Sequence, residues 1–401
     1  MRKWPTLMAL SAAELLAMGL WFSATAVSPA LMSAWSLTGA QAAWLTMAVQ
    51  LGFVAGALLT ALLNLADRFP AHGVIVAGAV AGAVCNALIP ALDPPFAAVI
   101  ILRGLTGACL AAVYPVGMRI IATWTREDRG LALGLLVGAL AVGSASPHLL
   151  RALGGVDDWR GVMFAASGFA LLGAIIVGAA VRPGPHHVGA PRLQWKYLAA
   201  SWREPSLRLA NFGYFGHMWE LYAMWTWIPI FLAASYRSAN VAGAERQASL
   251  VAFFVIAAGG LGSVIWGRLG DRWGRTQSTI LSMAISGTCC LLAGVLFGRA
   301  PALVTALALV WGFTIVADSA LFSTAATELC EAAYTGTALA AMTALGFLLT
   351  MASIQLLPVL AENDGWRWVF AVLALGPLAG SLAMWKLKRS AAAAKLAGGR
   401  G

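Results

Sequence analysis

Glu14–Trp21 reads ELLAMGLW and Glu220–Trp227 reads ELYAMWTW. The second stretch repeats the first 206 residues downstream, keeping the Glu, the first Leu, the Ala, the Met and the final Trp. Each copy sets an ionisable residue inside an apolar segment, which points to a duplicated membrane protein with two related acids near its centre.

Composition supports that class. Hydrophobic residues make up 60% of the chain and charged residues 10%, against about 25% charged in soluble domains. Reading apolar runs against charged and Pro/Gly breaks gives twelve spans: 5–32, 40–65, 73–92, 96–122, 131–153, 161–181, 210–235, 246–269, 277–298, 301–326, 334–360 and 366–386. The one long polar connection separates six spans from six. The expected organisation is an all-α polytopic protein in two six-helix halves, 1–182 and 210–389, joined by a cytoplasmic linker, 183–209, and followed by a flexible cytoplasmic tail, 390–401. Ala24-Thr25-Ala26 resembles a signal-peptide cleavage site, but Glu14 interrupts the apolar run and more spans follow, so the first segment reads as a retained helix.

Charge placement orients the bundle. With the N-terminus cytoplasmic, most of the 26 Lys and Arg residues fall on the inner face. Arg151, Arg160, Arg237, Arg246, Arg299 and Arg367 fall outside, and Arg103 lies within a span. Both termini are therefore expected in the cytoplasm and the protein in the plasma membrane. The same bias accounts for a net charge of +10 without nucleic acid. The five cysteines lack metal-ligand spacing and read as small apolar residues, so neither metal nor disulfide is expected. No phosphate-cradling Gly-rich loop is present, which argues against an ATP-driven pump. No cofactor is implied.

Two further echoes extend the repeat. Arg129-Gly130 corresponds to Thr335-Gly336, and Asp157-Asp158-Trp159-Arg160 to Asp364-Gly365-Trp366-Arg367. Between spans 8 and 9, Gly267-Arg268-Leu269-Gly270-Asp271-Arg272-Trp273-Gly274-Arg275 resembles the loop motif G-x-L-x-D-R-x-G-R of the major facilitator superfamily. Between spans 2 and 3 a degenerate copy keeps Leu65, Asp67 and Arg68. The resemblance implies a conformational latch formed by Asp67, Arg68, Gly267, Asp271, Arg272, Gly274 and Arg275, with Asp271 facing the start of span 5 and Asp67 the start of span 11. Gly suits a tight turn there, and an Asp at a helix end accepts from unpaired N–H groups of a neighbouring helix. Arg103-Gly104-Leu105-Thr106-Gly107 in span 4 is similar to a family segment whose buried Arg is linked to proton coupling.

The buried polar residues supply the candidate site. Glu14 lies about 13 Å beyond Pro5 at about 1.5 Å per residue, near the middle of a core about 30 Å thick. Glu220 is placed alike in span 7. Inserting an acid there costs about 3 kcal/mol, so each is expected to face protein or water. Glu14, Met18 and Trp21 share one helix face, as do His217, Glu220, Met224 and Trp227. The spacing of His217 and Glu220 suits a hydrogen-bonded proton relay. By resemblance, spans 1 and 7 border a central cavity where Glu14 and Glu220 face each other, with Trp21 and Trp227 as apolar walls. Asp318, Tyr114 and His148 complete the candidates for binding substrate or protons. The expected function is secondary active transport of a small organic solute across the lipid bilayer, driven by protons. Two acids beside aromatic faces favour a cation, whereas Arg103 and His148 suit a small anion. A solute-sensing receptor on a transporter fold and a membrane-embedded enzyme are the alternatives.

Overall fold

The computed structural model describes residues 3–63, 68–125, 129–186, 202–331 and 335–401. Among them there is helix and no strand. The first six spans begin with α1 (Lys3–Ala26), which continues after a break as α2 (Ser28–Trp35), followed by α3 (Gly39–Leu62) and α4 (Ala71–Leu92). Span 4 is divided into α5 (Phe96–Leu110) and α6 (Tyr114–Trp124), and α7 (Arg129–Gly154) and α8 (Trp159–Ala180) complete the set. The second six begin with α9 (Pro205–Ser238), α10 (Ala244–Trp273) and α11 (Arg275–Leu296). Span 10 is divided into α12 (Pro301–Ile315) and α13 (Ser319–Leu329). The long α14 (Thr335–Asp364) precedes a span that opens as a 3₁₀ turn, Val369–Ala374, and becomes α15 (Leu375–Lys388).

Eleven of these spans are long and apolar enough to cross a membrane. The twelfth is α9, which is 34 residues long and carries Arg208, His217 and Glu220 along with several Trp and Tyr. Its polar content, not its length, sets it apart. Proline shapes the breaks: Pro29 follows the end of α1, and Pro115 sits in the first turn of α6, where its missing N–H costs little.

Two compact units emerge, Met1–Ala190 with Gly243–Ala257, and Pro191–Ala242 with Ala258–Gly401. The first half of α10 joins the first unit because Arg246 Nε donates to the Ala152 carbonyl (3.0 Å) and Arg151 Nη1 to Ser249 Oγ (2.9 Å). In unit 1, α1 packs on α7 and α8, and α3 on α5. In unit 2, α9 packs on α14 and α15, and α11 on α12 and α15. Small residues permit these crossings. A Cβ on Gly52 would enter the backbone at Gly104, and one on Gly216 the backbone at Gly376. Large apolar side chains such as Ile101, Ile175 and Leu378 point outward, as lipid-facing positions require.

The sequence motif 267–275 is not a loop throughout. Helix α10 runs on through Trp273, so Gly267 and Gly270 are helical and Gly274 alone makes the turn, with φ 101°. Gly270 also sits close to α13, where a Cβ would meet Leu321 Cδ2 at 2.5 Å. After α15, residues 391–398 coil in 3₁₀ fashion up to a kink at Leu396 and Ala397, whose backbone is not helical.

Candidate functional site

Glu14 and Glu220 are both 1% exposed. Their surroundings differ completely. Among the described residues, neither carboxyl oxygen of the buried Glu14 has a hydrogen-bond partner. The side chain lies against α6, where a methyl group on Gly117 would sit 3.2 Å from Glu14 Oε2 and 3.8 Å from side-chain carbons of Leu10 and Leu136. One turn earlier on α1, the hydroxyl of Ser11 is also buried without a partner. Tyr114 opens α6 three residues before Gly117.

Glu220, by contrast, accepts three hydrogen bonds within unit 2. Trp311 Nε1 donates to Oε1 at 2.5 Å, Cys290 Sγ to Oε1 at 3.3 Å, and Ser286 Oγ to Oε2 at 2.9 Å. The donors come from α11 and α12, so the carboxylate ties three helices together. The expected relay between His217 and Glu220 is not the pairing found. His217 Nδ1 instead lies 2.9 Å from Asp318 Oδ1, with both side chains buried. Asp318 stands at the N-cap of α13, where the division of span 10 brings it toward α9. His217 Nε2 has no partner.

Arg103 is fully buried and engaged entirely by neutral oxygens. Nε donates to the Leu45 carbonyl (3.1 Å), Nη1 to the Leu20 carbonyl (2.9 Å), Ser23 Oγ (3.1 Å) and Asn86 Oδ1 (3.1 Å), and Nη2 to the Trp21 carbonyl (2.5 Å). Asn86 Nδ2 extends the network to the Met163 carbonyl and Ser167 Oγ, both at 3.0 Å. A guanidinium with five such contacts fastens α1, α3, α4 and α5 and has little capacity left for a solute anion. Two helix carbonyls near the end of α1 account for much of its grip, and they have no signature in the residue letters.

His148 is completely buried in α7 with neither ring nitrogen hydrogen-bonded, one turn before Arg151. The Trp21 ring packs on Phe53 with centroids 5.0 Å apart. Trp227 donates to the Ile354 carbonyl at 2.9 Å and packs against Trp366 at 5.5 Å. Of the latch candidates, Asp67 lies outside the described residues, and Arg68 and Arg272 are outside the ion pairs found near the motif. Asp271 Oδ1 accepts from Arg275 Nη1 at 2.5 Å, and Glu328 Oε1 from Arg275 Nη2 at 3.0 Å. A cavity of about 350 Å³ opens between the start of α4, the end of α6 and residues 183–186, lined by Arg119, Thr123 and His186 among others, and Glu14 and His148 take no part in it.

Sequence reading misses Ser23, Asn86, Ser286, Cys290 and Trp311. The in-span Asn86 is the available signal, since a buried amide needs partners. Cys290 reads as merely apolar, yet its thiol reaches Glu220.

The family model described as Major Facilitator Superfamily matches residues 10–239 and again 210–401. The fold is similar to that of a mutant form of the nucleoside transporter NupG, with TM-score 0.73, 14% identity, and coverage of 95% of this chain and 99% of that one. It is also similar to a bacterial homologue of the human lysosomal transporter Spinster in an inward-facing, unoccupied conformation, with TM-score 0.72, 14% identity and 96% coverage of both chains. At this identity the likeness is one of fold. No functionally curated protein matches the chain.

Proposed function

Since the chain belongs to the Major Facilitator Superfamily, and is thus a multi-pass membrane transporter and not an enzyme, we propose that it carries a small organic solute by alternating access in exchange for, or together with, protons. The observation that carries the proposal is Glu14, a buried carboxyl group whose two oxygens have no hydrogen-bond partner among the described residues. Burying such a group as an anion costs several kcal/mol unless donors are supplied. A proton satisfies it, and so does a solute that brings N–H donors or positive charge. Two occupants that exclude each other at one carboxyl group are the minimum chemistry of coupling.

The solute class follows from the same contrast. Arg103 is committed to neutral oxygens of its own unit, so it is a fastening residue and not an anion receptor. An amine-bearing or neutral solute suits Glu14 better than a carboxylate or phosphate would. His217 and Asp318 form a second protonatable pair, and Glu220 a structural anchor. Both termini are assigned to the cytoplasm of a plasma-membrane protein by the excess of Lys and Arg on that face.

The test begins with a thermal-shift screen of organic amines and neutral solutes on purified protein, to choose a ligand. That ligand is then added outside proteoliposomes containing an internal pH dye. Movement of solute accompanied by a change in internal pH is expected. Solute movement with no proton movement would defeat the coupling, and stabilisation only by organic anions would defeat the solute class.

A further inference from the structure

Beyond α15 the chain turns at Ser390 and folds back on unit 2. A 3₁₀ stretch beginning at Ala391 breaks at a kink, and the two kink residues, Leu396 and Ala397, are buried. Three polar contacts fasten the segment to three different elements. Ala397 N donates to Glu328 Oε2 at 3.0 Å, at the end of α13. Thr276 N, in the first turn of α11, donates to the Gly401 carbonyl at 3.1 Å. Arg400 Nη1 donates to the carbonyl of Asp271, in the last turn of α10.

Two of the contacts satisfy backbone groups that the helix ends leave open. The N–H of Thr276 belongs to a first turn and has no intrahelical acceptor, and the Asp271 carbonyl belongs to a last turn with no intrahelical donor. Gly274 completes the fit: its left-handed φ of 101° suits glycine, and a Cβ there would collide with the carbonyls of Arg400 and Gly401. Glu328 is shared: Oε1 accepts from Arg275, and Oε2 accepts from the Ala397 amide at 3.0 Å and more distantly from Arg275 Nε at 3.5 Å. The segment therefore belongs to the same network as the Asp271–Arg275 ion pair.

We propose that residues 391–401 are a positioning clamp for the 267–275 motif, holding Asp271, Arg275 and Glu328 in the arrangement on which the rate of the transport cycle depends. The rate dependence rests on the transport reading; the ordering of the motif does not. Without the clamp, Arg275 chooses among Asp271, Glu328 and solvent, and the α10–α11 turn loses its cover.

The decisive comparison is hydrogen–deuterium exchange on the purified full chain, a chain ending at Ser390, Arg400→Ala and Arg400→Lys, paired with uptake in proteoliposomes. Amides of 274–278 are expected to exchange at least tenfold faster in the truncated chain, several-fold faster in Arg400→Ala, and close to the wild-type rate in Arg400→Lys. Maximal uptake should fall several-fold in the first two with the KM for solute unchanged. Equal exchange in all four proteins would overturn the clamp. Faster exchange with unchanged uptake would overturn its role in the cycle. Absence of uptake by the wild type would strike the transport reading, while the exchange comparison would still decide whether the segment orders the motif.

Discussion

Glu14 and Glu220 hold the same place in the internal repeat and live in opposite surroundings. Three residues before Glu14 stands Ser11, without a partner, whereas three residues before Glu220 stands His217, against Asp318. The N-cap of α6 is Val113 and that of α13 is Asp318. Donors surround the second acid, and among the described residues none reaches the first. A helix repeat thus fixes the depth of an acid, while residues on neighbouring helices decide what the acid does. Unit 2 uses its buried carboxylate to hold helices together. Unit 1 gives that task to Arg103 and leaves its carboxyl group open.

Exchanging the roles should be costly, and most costly where the fastening lies. Arg103→Ala removes five hydrogen bonds of one charged group and leaves buried oxygens unpaired, so a loss on the order of 3–5 kcal/mol is expected, read as a fall in melting temperature of the detergent-purified protein. Glu220→Ala strands Trp311 Nε1 and should cost about 2–3 kcal/mol. If Glu220→Ala melts like the wild type, the anchor assignment fails.

The paired histidine gives a finer probe. His217→Ala leaves Asp318 buried alone and should cost about 1–3 kcal/mol, whereas adding Asp318→Asn should recover part of it. Strict additivity in that double-mutant cycle would mean the 2.9 Å approach carries no energy. Gly117→Ala presses on Glu14 Oε2 from 3.2 Å; a loss of about 1 kcal/mol or less is expected, with a clear drop in uptake. Glu14→Gln should be smallest of all in stability, within about 1 kcal/mol of the wild type, because no donor is lost.

Much of the architecture is legible in the residues. Apolar runs and the ELxAMxxW echo mark twelve spans and the two buried acids, because helix period and hydropathy are local properties. The partners are not legible. Trp311, Ser286 and Cys290 lie far along the chain from Glu220, and only packing brings them to it. Arg103 is held by the carbonyls of Leu20, Trp21 and Leu45, by the Ser23 hydroxyl and by the Asn86 amide, none of them charged, so a search for a counterion could not find them. The glycines of the 267–275 motif read as turn residues, yet only Gly274 turns, while Gly267 and Gly270 lie within a helix that runs on to Trp273.

The proposed function gives Glu14 the exchange of proton for solute and Glu220 the anchoring of helices. Reconstituted wild type, Glu14→Gln and Glu220→Gln, given the ligand chosen by the thermal-shift screen and an imposed pH gradient, test that division of roles in one assay. Glu14→Gln should lose gradient-driven accumulation while keeping its melting temperature, and Glu220→Gln should melt lower while its surviving folded fraction still accumulates solute. Undiminished accumulation by Glu14→Gln would contradict it.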